Sequence, residues 1–203
     1  MLWTMGPERD VAAFDERAAR YESGWRGRLH HEIADRTAAI GLEFRESPDR
    51  ILDVGCGTGY LLRRLGALLP AAVQLVGIDP APSMIEVARA ESADERLSFS
   101  VGVAEHLPFL DQTFDLVVST TSFDHWSDQQ SGLSECARVM TPGGGLVLTD
   151  QFSGWLVPTL LVGRRGKART KKRATHLLTQ AGLSSPDWHD LYAVIIRTVT
   201  TVK

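Results

Sequence analysis

The sequence predicts an α/β fold, in which a mostly parallel sheet of seven strands with an antiparallel terminal strand carries helices on both faces. Short apolar runs, typical of buried strands, alternate along the chain with segments of helical periodicity. A turn with three glycines in five residues follows the first apolar run, where α/β sheets place a ligand. The 203 residues suit one domain of about 150 residues with an appendage, rather than two domains.

Apolar residues recur every three or four positions through the first part of the chain, which predicts helices that pack by one face. They are Phe14, Ala18, Tyr21, Trp25, Leu29 and Ile33. Gly24 and Gly27 should divide this region into two helices, because glycine is a poor helix former. Pro48 should end this helical region. We expect residues 1–47 to form a helical lid over the ligand site.

Residues 48–152 should form the core, in which strand and helix patterns alternate. The predicted strands lie at residues 51–54, 73–78, 97–103, 114–118 and 146–148, and the predicted helices at residues 61–69, 82–88 and 128–140. Because crossovers between parallel strands are right-handed, these helices should cover both faces of the sheet.

Residues 153–203 differ in character but should complete the same domain. An apolar segment that includes Trp155 precedes a basic run, residues 164–173, which holds seven of the 22 Lys and Arg residues. We expect this insertion to cover the side of the ligand site at which a second substrate, the acceptor, would bind. A helix should end near Gly182. Residues 191–202, rich in Val, Ile and Thr, should form a terminal strand or hairpin.

The composition excludes several classes of protein. With 43% hydrophobic and 23% charged residues, the chain is globular rather than disordered or collagenous. Its net charge of −3 gives no overall attraction to nucleic acid or anionic lipid. Two cysteines, no signal-peptide pattern in residues 1–10 and no apolar stretch near the about 20 residues of a membrane helix predict a cytoplasmic protein without a membrane span.

The glycine turn, residues 55–59, lets the backbone bend sharply and lets a ligand approach it without a Cβ in the way. Taken alone, it also fits a plain strand-to-helix connection. Asp53 precedes it, where a carboxylate would repel the phosphates of a dinucleotide, and the third glycine comes one residue early for the dinucleotide pattern. Asp79 ends the second strand, where a carboxylate accepts the hydroxyls of a ribose. These residues favour a cationic nucleoside.

A series of motifs follows this turn in a fixed order. It comprises ILDVGCGTG at residues 51–59, Gly77-Ile78-Asp79, Leu107-Pro108-Phe109, Phe114-Asp115, Glu135, Arg138 and Pro142-Gly143-Gly144. Over residues 50–150, about half of the chain, the series resembles class I S-adenosylmethionine-dependent methyltransferases of the type 11 group. The resemblance implies a Rossmann-like fold, S-adenosyl-L-methionine as cofactor and S-adenosyl-L-homocysteine as its product.

The resemblance also implies which residues bind the cofactor. Asp53, Gly55, Cys56 and Gly57 would surround its methionine moiety, Asp79 would bind the ribose next to Pro80, Met84 would pack on the adenine, Ala104 and Glu105 would line the adenine edge, and Thr120 would lie near the sulfonium. Met84 equally suits a core position. Val103 stands where many relatives have an Asp that accepts a hydrogen bond from the adenine amine, so Glu105 or a backbone carbonyl would have to replace that contact.

The residues that follow the fourth strand contain the candidate for proton transfer. His125 is predicted to act as a general base if the acceptor arrives protonated, although a loop histidine also serves simply to bind a carbonyl. Candidate substrate or lid residues are Tyr21, Trp25, Trp126 and Trp155, with His30 or His31 as further lid residues. Helix packing is the alternative explanation for these aromatic residues. We expect no metal ion.

The leading hypothesis is an S-adenosylmethionine-dependent methyltransferase with a small-molecule acceptor, which we expect to be lipophilic or aromatic with an acidic group. Two alternatives stay open: a protein that binds the cofactor without turnover, and an RNA methyltransferase that uses the basic residues 164–173. A nicotinamide oxidoreductase is disfavoured by Asp53. Nucleic acid is otherwise not an expected partner, and a homodimer is left open.

Overall fold

The computed structural model describes residues 7–16, 18, 21–22, 24–72, 74–153, 170–192 and 195–203. Helices α1 (Pro7–Asp15) and α2 (Gly24–Phe44) precede β1 (Arg50–Val54), α3 (Tyr60–Leu68), β2 (Gln74–Asp79), α4 (Pro82–Ala90) and β3 (Leu97–Val101). The chain continues through β4 (Phe114–Thr120), a 3₁₀ turn (Phe123–His125), α5 (Gln129–Val139), β5 (Met140–Gln151), α6 (Lys171–Gln180), β6 (Ser184–Tyr192) and β7 (Ile196–Val202).

The predicted sheet is confirmed. Seven strands lie in the order β3-β2-β1-β4-β5-β7-β6. Strands β1 to β5 are parallel to one another, and β7 runs antiparallel to both β5 and β6. The chain leaves the sheet centre in opposite directions from β1 and β4, so a crevice opens at their carboxyl ends.

Alternating side chains of the strands feed two separate cores. Leu52 and Val54 of β1 belong to a core that α5 and α6 cover, whereas Ile51 belongs to a second core that α2, α3 and α4 cover. Since successive strand residues point to opposite faces, an apolar run without alternation is what a sheet covered on both sides requires.

Several predicted boundaries were wrong. The third strand ends at Val101 rather than residue 103, and Val103 pairs with His106 in an isolated bridge. The predicted helix 128–140 ends one residue earlier, at Val139, and β5 begins at Met140, because the Pro142-Gly143-Gly144 segment pairs with the carboxyl terminus through Lys203. Strand β6 extends over residues 184–192, where its position at the sheet edge exposes polar side chains and removes the apolar pattern.

The N-terminal region forms two helices, as predicted, but the break lies before Gly24 rather than at Gly27. Gly24 adopts a φ of 72°, a left-handed conformation that suits glycine. Gly27 lies within α2 beneath the backbone of Glu22, and a Cβ there would lie 2.0 Å from the Glu22 carbonyl oxygen. Among the described residues, no helix has the length and apolar character needed to cross a bilayer.

Candidate active site

A cleft of about 850 Å³ opens at the carboxyl ends of β1, β2 and β4, and this volume includes its mouth to solvent. Most predicted cofactor residues line it: Gly55, Gly57, Asp79, Pro80, Met84, Ala104, Glu105 and Thr120. Tyr21, His125 and Trp126 line the same cleft. The topology therefore brings together residues that are separated by up to about half of the chain.

A second cavity of about 490 Å³ adjoins the cleft on the far side of the glycine turn. Its wall contains Asp53 and Cys56 together with His30, His31 and Tyr60. The two cavities meet, because five residues line both of them. These shared residues are Tyr21, Gly55, Gly57, Thr120 and Thr121.

The glycine turn passes between the two cavities with its backbone exposed to both. Gly55 has a φ of 77°, and a Cβ there would lie 2.3 Å from the Ser122 side chain. Gly57 has a φ of 52°, and a Cβ there would meet no atom within 4 Å. Gly55 is therefore required by the packing, whereas Gly57 leaves open space in front of the backbone.

Asp79 holds the turn in place from the end of β2. Its carboxylate accepts hydrogen bonds of 2.9 Å from the backbone N–H of Gly57 and of Ala81. Burial raises the pKa of Asp79, and these two hydrogen bonds oppose the rise. The same carboxylate lines the cleft, so it can receive a ligand hydroxyl while it supports the turn.

Asp53 is a buried carboxyl group whose Oδ1 has no hydrogen-bond partner among the described residues. Burial, and then the negative charge of Asp79, raises its pKa to about 8. The hydroxyl oxygen of Thr120 is likewise buried and unsatisfied within that part of the chain. Unpaired buried polar atoms cost free energy, so these two atoms indicate that a ligand or water binds at the cavity wall. A cation would suit Asp53 best.

Cys56 contributes its position rather than its thiol. Its side chain is buried, and desolvation raises the pKa of the thiol well above the usual range, with Asp53 and Asp79 adding to the rise. A thiol that stays protonated is a poor nucleophile.

The opposite end of the cleft is apolar. Met84 is 1% exposed and packs with Ala18 and Ala81, so it serves both the core and the cleft wall. Glu105 accepts a 2.9 Å hydrogen bond from the Asp128 backbone, which commits one of its oxygens. Val103 is 44% exposed and lies on the rim, where it offers no acceptor side chain.

His125 ends the 3₁₀ turn that follows β4 and faces the cleft. Its ring lies edge-on to Phe14, with 5.1 Å between the ring centroids. The turn is anchored from below by Asp150, which is 4% exposed and accepts the backbone N–H of Asp124 at 3.0 Å. Sequence reasoning missed Asp150, because its position at the end of β5 carries no motif.

Trp126 is mostly a core residue that reaches the cleft with one edge. It is 6% exposed, packs against Phe123 and donates its indole N–H to Ser122 at 3.2 Å. Trp25 was predicted as a lid residue, but its side chain is 64% exposed and lines neither cavity. Trp155 lies outside the described residues, as do residues 164–169 of the basic run.

Helix α1 contributes to the cleft wall two residues that sequence reasoning assigned only to helix packing. Val11 and Phe14 line the cleft, and Phe14 also contacts Tyr21. The carboxylate of Asp15 accepts a 2.9 Å hydrogen bond from the backbone N–H of Ser83, so it caps the start of α4. Val11 and Phe14 are three residues apart on the same face as Ala18, and this spacing was the signal in the sequence that they share a surface.

Glu22 ties the N-terminal region to the glycine turn. It accepts hydrogen bonds from Thr58 at 2.5 Å and from Arg63 at 2.9 Å, and its second oxygen lies 3.2 Å from His31 Nε2. Burial opposes ionisation, but the bonds from Thr58 and Arg63 outweigh it and lower the pKa of Glu22. His31 in turn stacks on Tyr60 with 3.8 Å between the ring centroids.

The comparisons with known proteins identify the family of this chain. The model of a methyltransferase domain matches residues 52–148. A demethylmenaquinone methyltransferase of Thermus thermophilus is 38% identical over 142 residues, which cover 68% of this chain and 63% of that protein. A ubiquinone/menaquinone biosynthesis C-methyltransferase of a Geobacter species is 31% identical over 170 residues, which cover 76% of this chain and 66% of the relative.

Two solved structures show the same fold. A methyltransferase from Haloferax volcanii, in complex with the Trm112 activator, has a TM-score of 0.78 at 24% identity and covers 93% of this chain and 96% of its own. Human N-acetylserotonin methyltransferase in complex with S-adenosylmethionine has a TM-score of 0.72 at 19% identity, over 96% of this chain and 57% of its own.

The chain belongs to the class I S-adenosylmethionine-dependent methyltransferases, whose methyl donor is S-adenosylmethionine. It spans about half to two thirds of the length of the curated relatives that it matches.

Proposed function

We propose that this protein transfers the methyl group of S-adenosylmethionine to a small-molecule acceptor. The observation that carries the proposal is the buried, unsatisfied carboxyl of Asp53 beside the open backbone of Gly57. A cation that fills this space satisfies the carboxyl of Asp53, whereas the diphosphate of a nicotinamide dinucleotide would place negative charge beside this acidic group.

The described residues fit the donor in three parts. Asp79, Pro80, Met84 and Ala104 would hold its nucleoside, the glycine turn would hold the sulfonium region, and Asp53 would face its charged amino-acid tail. Thr120 lies between the two cavities and supplies an unsatisfied hydroxyl at their junction. These assignments match the roles that the family resemblance implies.

When bound, S-adenosylmethionine supplies an electrophilic methyl group on a positively charged sulfur. The protein has to align the acceptor with it and exclude water, because such a displacement requires no covalent intermediate. Phe14 and Tyr21 close the cleft from the N-terminal region, and burial, followed by the charge of Asp79, raises the pKa of Tyr21 to about 12. Tyr21 therefore stays neutral and is able to donate a hydrogen bond. His125 accepts the proton that a hydroxyl or acidic carbon of the acceptor loses.

We propose a reduced quinone or a related phenol as the acceptor class. The names of the relatives support it, since they act in demethylmenaquinone methylation or in ubiquinone and menaquinone biosynthesis. The cleft supports it too, because Phe14, Trp126 and Val103 present apolar and aromatic surface near His125. Such an acceptor is lipophilic and carries an acidic hydroxyl.

A radiolabelled methyl-transfer assay tests the proposal. The protein would be incubated with methyl-labelled S-adenosylmethionine and a panel of 1,4-dihydroxynaphthalenes, simple phenols, amines and RNA. We expect label in the dihydroxynaphthalene products, loss of it in Asp53→Asn, and no change in Leu110→Ser, whose parent side chain is 83% exposed away from the cleft. Donor binding without transfer to any member of the panel would favour the non-catalytic alternative instead.

An RNA acceptor is the second candidate, and Lys171, in the described part of the basic run, does not favour it. Lys171 lies 5.6 Å from the Trp188 ring and 3.8 Å from Asp190, so its charge is engaged within the molecule. We further propose that residues 1–47 act as the lid, residues 48–152 as the donor-binding core and residues 153–203 as the acceptor-side cover of one domain. The buried, free Cys56 and Cys136 are consistent with a cytoplasmic location, and a homodimer stays a prediction.

A further inference from the structure

The segment that carries His125 leaves β4 through a strained bend. Thr121 directly follows β4 and has a φ of 55°, a left-handed conformation that is rare for a β-branched residue. Such backbone strain persists only where the surrounding structure imposes it, and it is concentrated at functional sites. Thr121 lines both the cleft and the second cavity, so the bend belongs to the site.

Strand β5 holds this segment at two places. The backbone N–H of Thr121 donates to the carbonyl oxygen of Thr149 at 2.8 Å. The next residue of the strand, Asp150, accepts the backbone N–H of Asp124 through its carboxylate at 3.0 Å. The first bond needs only backbone atoms, whereas the second depends on the side chain at position 150. The turn that ends at His125 thus depends on the identity of one residue of β5.

Other elements hold the residues that precede this N–H. The Ser122 hydroxyl donates to the carbonyl oxygen of Val54 in β1 at 2.9 Å. The side-chain amide of Gln129 in α5 donates to the carbonyl oxygen of Phe123 at 3.0 Å. With these residues fixed, the carboxylate from β5 determines the orientation of the peptide that leads into His125.

The carboxyl of Asp150 is costly to bury, since it is only 4% exposed. Burial and the charge of Asp124 raise its pKa, whereas the backbone N–H groups of Gln151 and Asp124 and the positive charge of His125 oppose the rise. The influence of His125 shows that the imidazole and the carboxyl lie close enough to interact. An ionised carboxylate accepts a stronger hydrogen bond than a neutral group, so it fixes the turn more firmly.

We propose that Asp150 is a positioning residue for His125, whose imidazole it orients toward the acceptor through its hydrogen bond to the Asp124 N–H. The imidazole nitrogen takes the proton of an acceptor hydroxyl or acidic carbon, and the electron pair of the broken bond stays on the acceptor. The acceptor attacks the methyl carbon, and the carbon–sulfur bond breaks to leave a neutral thioether. Asp150 itself exchanges no proton. The inference rests on the proposed function, since it takes His125 as the base.

A double-mutant cycle on kcat tests the proposal, with methyl-labelled S-adenosylmethionine and a 1,4-dihydroxynaphthalene. Displacement of a reacting group by about 1 Å lowers a rate by about 100-fold, so Asp150→Ala should lower kcat by at least about tenfold. In a His125→Ala background, the same change should lower kcat by less than about threefold, because Asp150 acts only through the imidazole. Asp150→Asn keeps an oxygen for the Asp124 N–H, so it should lower kcat by less than about threefold.

Asp115→Ala is the matched control for loss of a carboxylate that holds backbone. Asp115 accepts the backbone N–H groups of Asp49 and Arg50 at 2.8 and 3.1 Å. It lies at the amino end of β4, whereas the cleft opens at the carboxyl ends of the strands. This variant should be less stable than the wild-type protein but should keep kcat within about threefold.

Amide hydrogen exchange adds a measurement that involves no turnover. In the wild-type protein, the Asp124 N–H should exchange at least about 100-fold more slowly than an unprotected amide. Asp150→Ala should lose this protection, and His125→Ala should retain it.

Two results would overturn the inference alone. One is an unprotected Asp124 amide in the wild-type protein, a result that needs no variant to fold. The other is an equal fall of kcat on Asp150→Ala in the wild-type and His125→Ala backgrounds, or a fall in Asp150→Asn as large as that in Asp150→Ala. Absence of methyl transfer in the wild-type protein would instead overturn the proposed function and, with it, the role of Asp150 in proton transfer.

Discussion

The buried carboxyl of Asp53 makes donor binding sensitive to pH in a direction that the structure fixes. Its pKa is raised to about 8, so the group is mostly protonated in the free protein near neutrality. A cationic ligand prefers the ionised form, and binding should therefore tighten as the pH rises. With a pKa of about 8, the ionised fraction is about 1% at pH 6.0 and about 24% at pH 7.5, an increase of about 25-fold.

S-Adenosyl-3-thiopropylamine, the decarboxylated analogue of S-adenosylhomocysteine, is the suitable ligand, because its amine, with a pKa near the about 10.4 of a lysine, stays charged across this range. We expect its Kd to fall by about 25-fold between pH 6.0 and 7.5 in the wild-type protein and to change little in Asp53→Asn, measured by calorimetry.

The same raised pKa predicts the stability of the unliganded protein. A carboxyl whose pKa is higher in the folded state stabilises the fold most below its unfolded pKa, and that contribution is lost as the pH rises through about 8. The Tm of the wild-type protein should thus fall relative to that of Asp53→Asn between pH 6 and about 8.5. A wild-type Kd that varies less than threefold, together with parallel Tm curves, would refute the reasoning.

Three further outcomes follow from the site. Gly57→Ala should lower the free energy of unfolding by about 1–2 kcal/mol, because only its left-handed backbone opposes a Cβ. Gly55→Ala should lower it more, since its Cβ would also collide with a neighbouring side chain. Equal losses of the two variants in urea unfolding would contradict this. Phe14→Ala should weaken S-adenosylhomocysteine binding about fivefold or more through the lost aromatic contacts, and an unchanged Kd would exclude α1 as a lid. Glu22→Gln should destabilise the protein by about 1–2 kcal/mol at pH 7. This difference from the wild-type protein should disappear as the pH falls through the lowered pKa of Glu22. A difference in stability that persists in acid would show that the charge of Glu22 is not involved.

Much of the fold could be predicted, because burial on both faces of a parallel sheet produces apolar runs that a sequence displays directly. The strands around Ile51 and Leu75 and the helix after the glycine turn are found where predicted. The edge strand β6 could not be predicted, because only Leu191 of its nine residues is buried and the pattern that marks a strand is absent.

The residues of the candidate site that lie next to the glycine turn in the sequence could be predicted. Those that reach the site only through packing could not. Asp53 and Asp79 were identifiable, because each ends a strand beside the turn. Phe14 and His30 were assigned to packing or left as alternatives, since a helix face looks the same whether it meets a core or a cavity. Trp25 lies on a helix face as well, and its side chain is exposed to solvent.

By itself, the sequence determined the order of strands and helices, the glycine bend and the acidic residues beside it, because these depend on local periodicity and on the backbone freedom of single residues. Only the tertiary structure decided that the carboxyl of Asp53 is left unsatisfied, that α1 lines the cleft, and that His30 and His31 both line the second cavity. Those features depend on which side chains meet across elements that are distant in the sequence. This packing produces the burial that sets the hydrogen bonding and the pKa of each group.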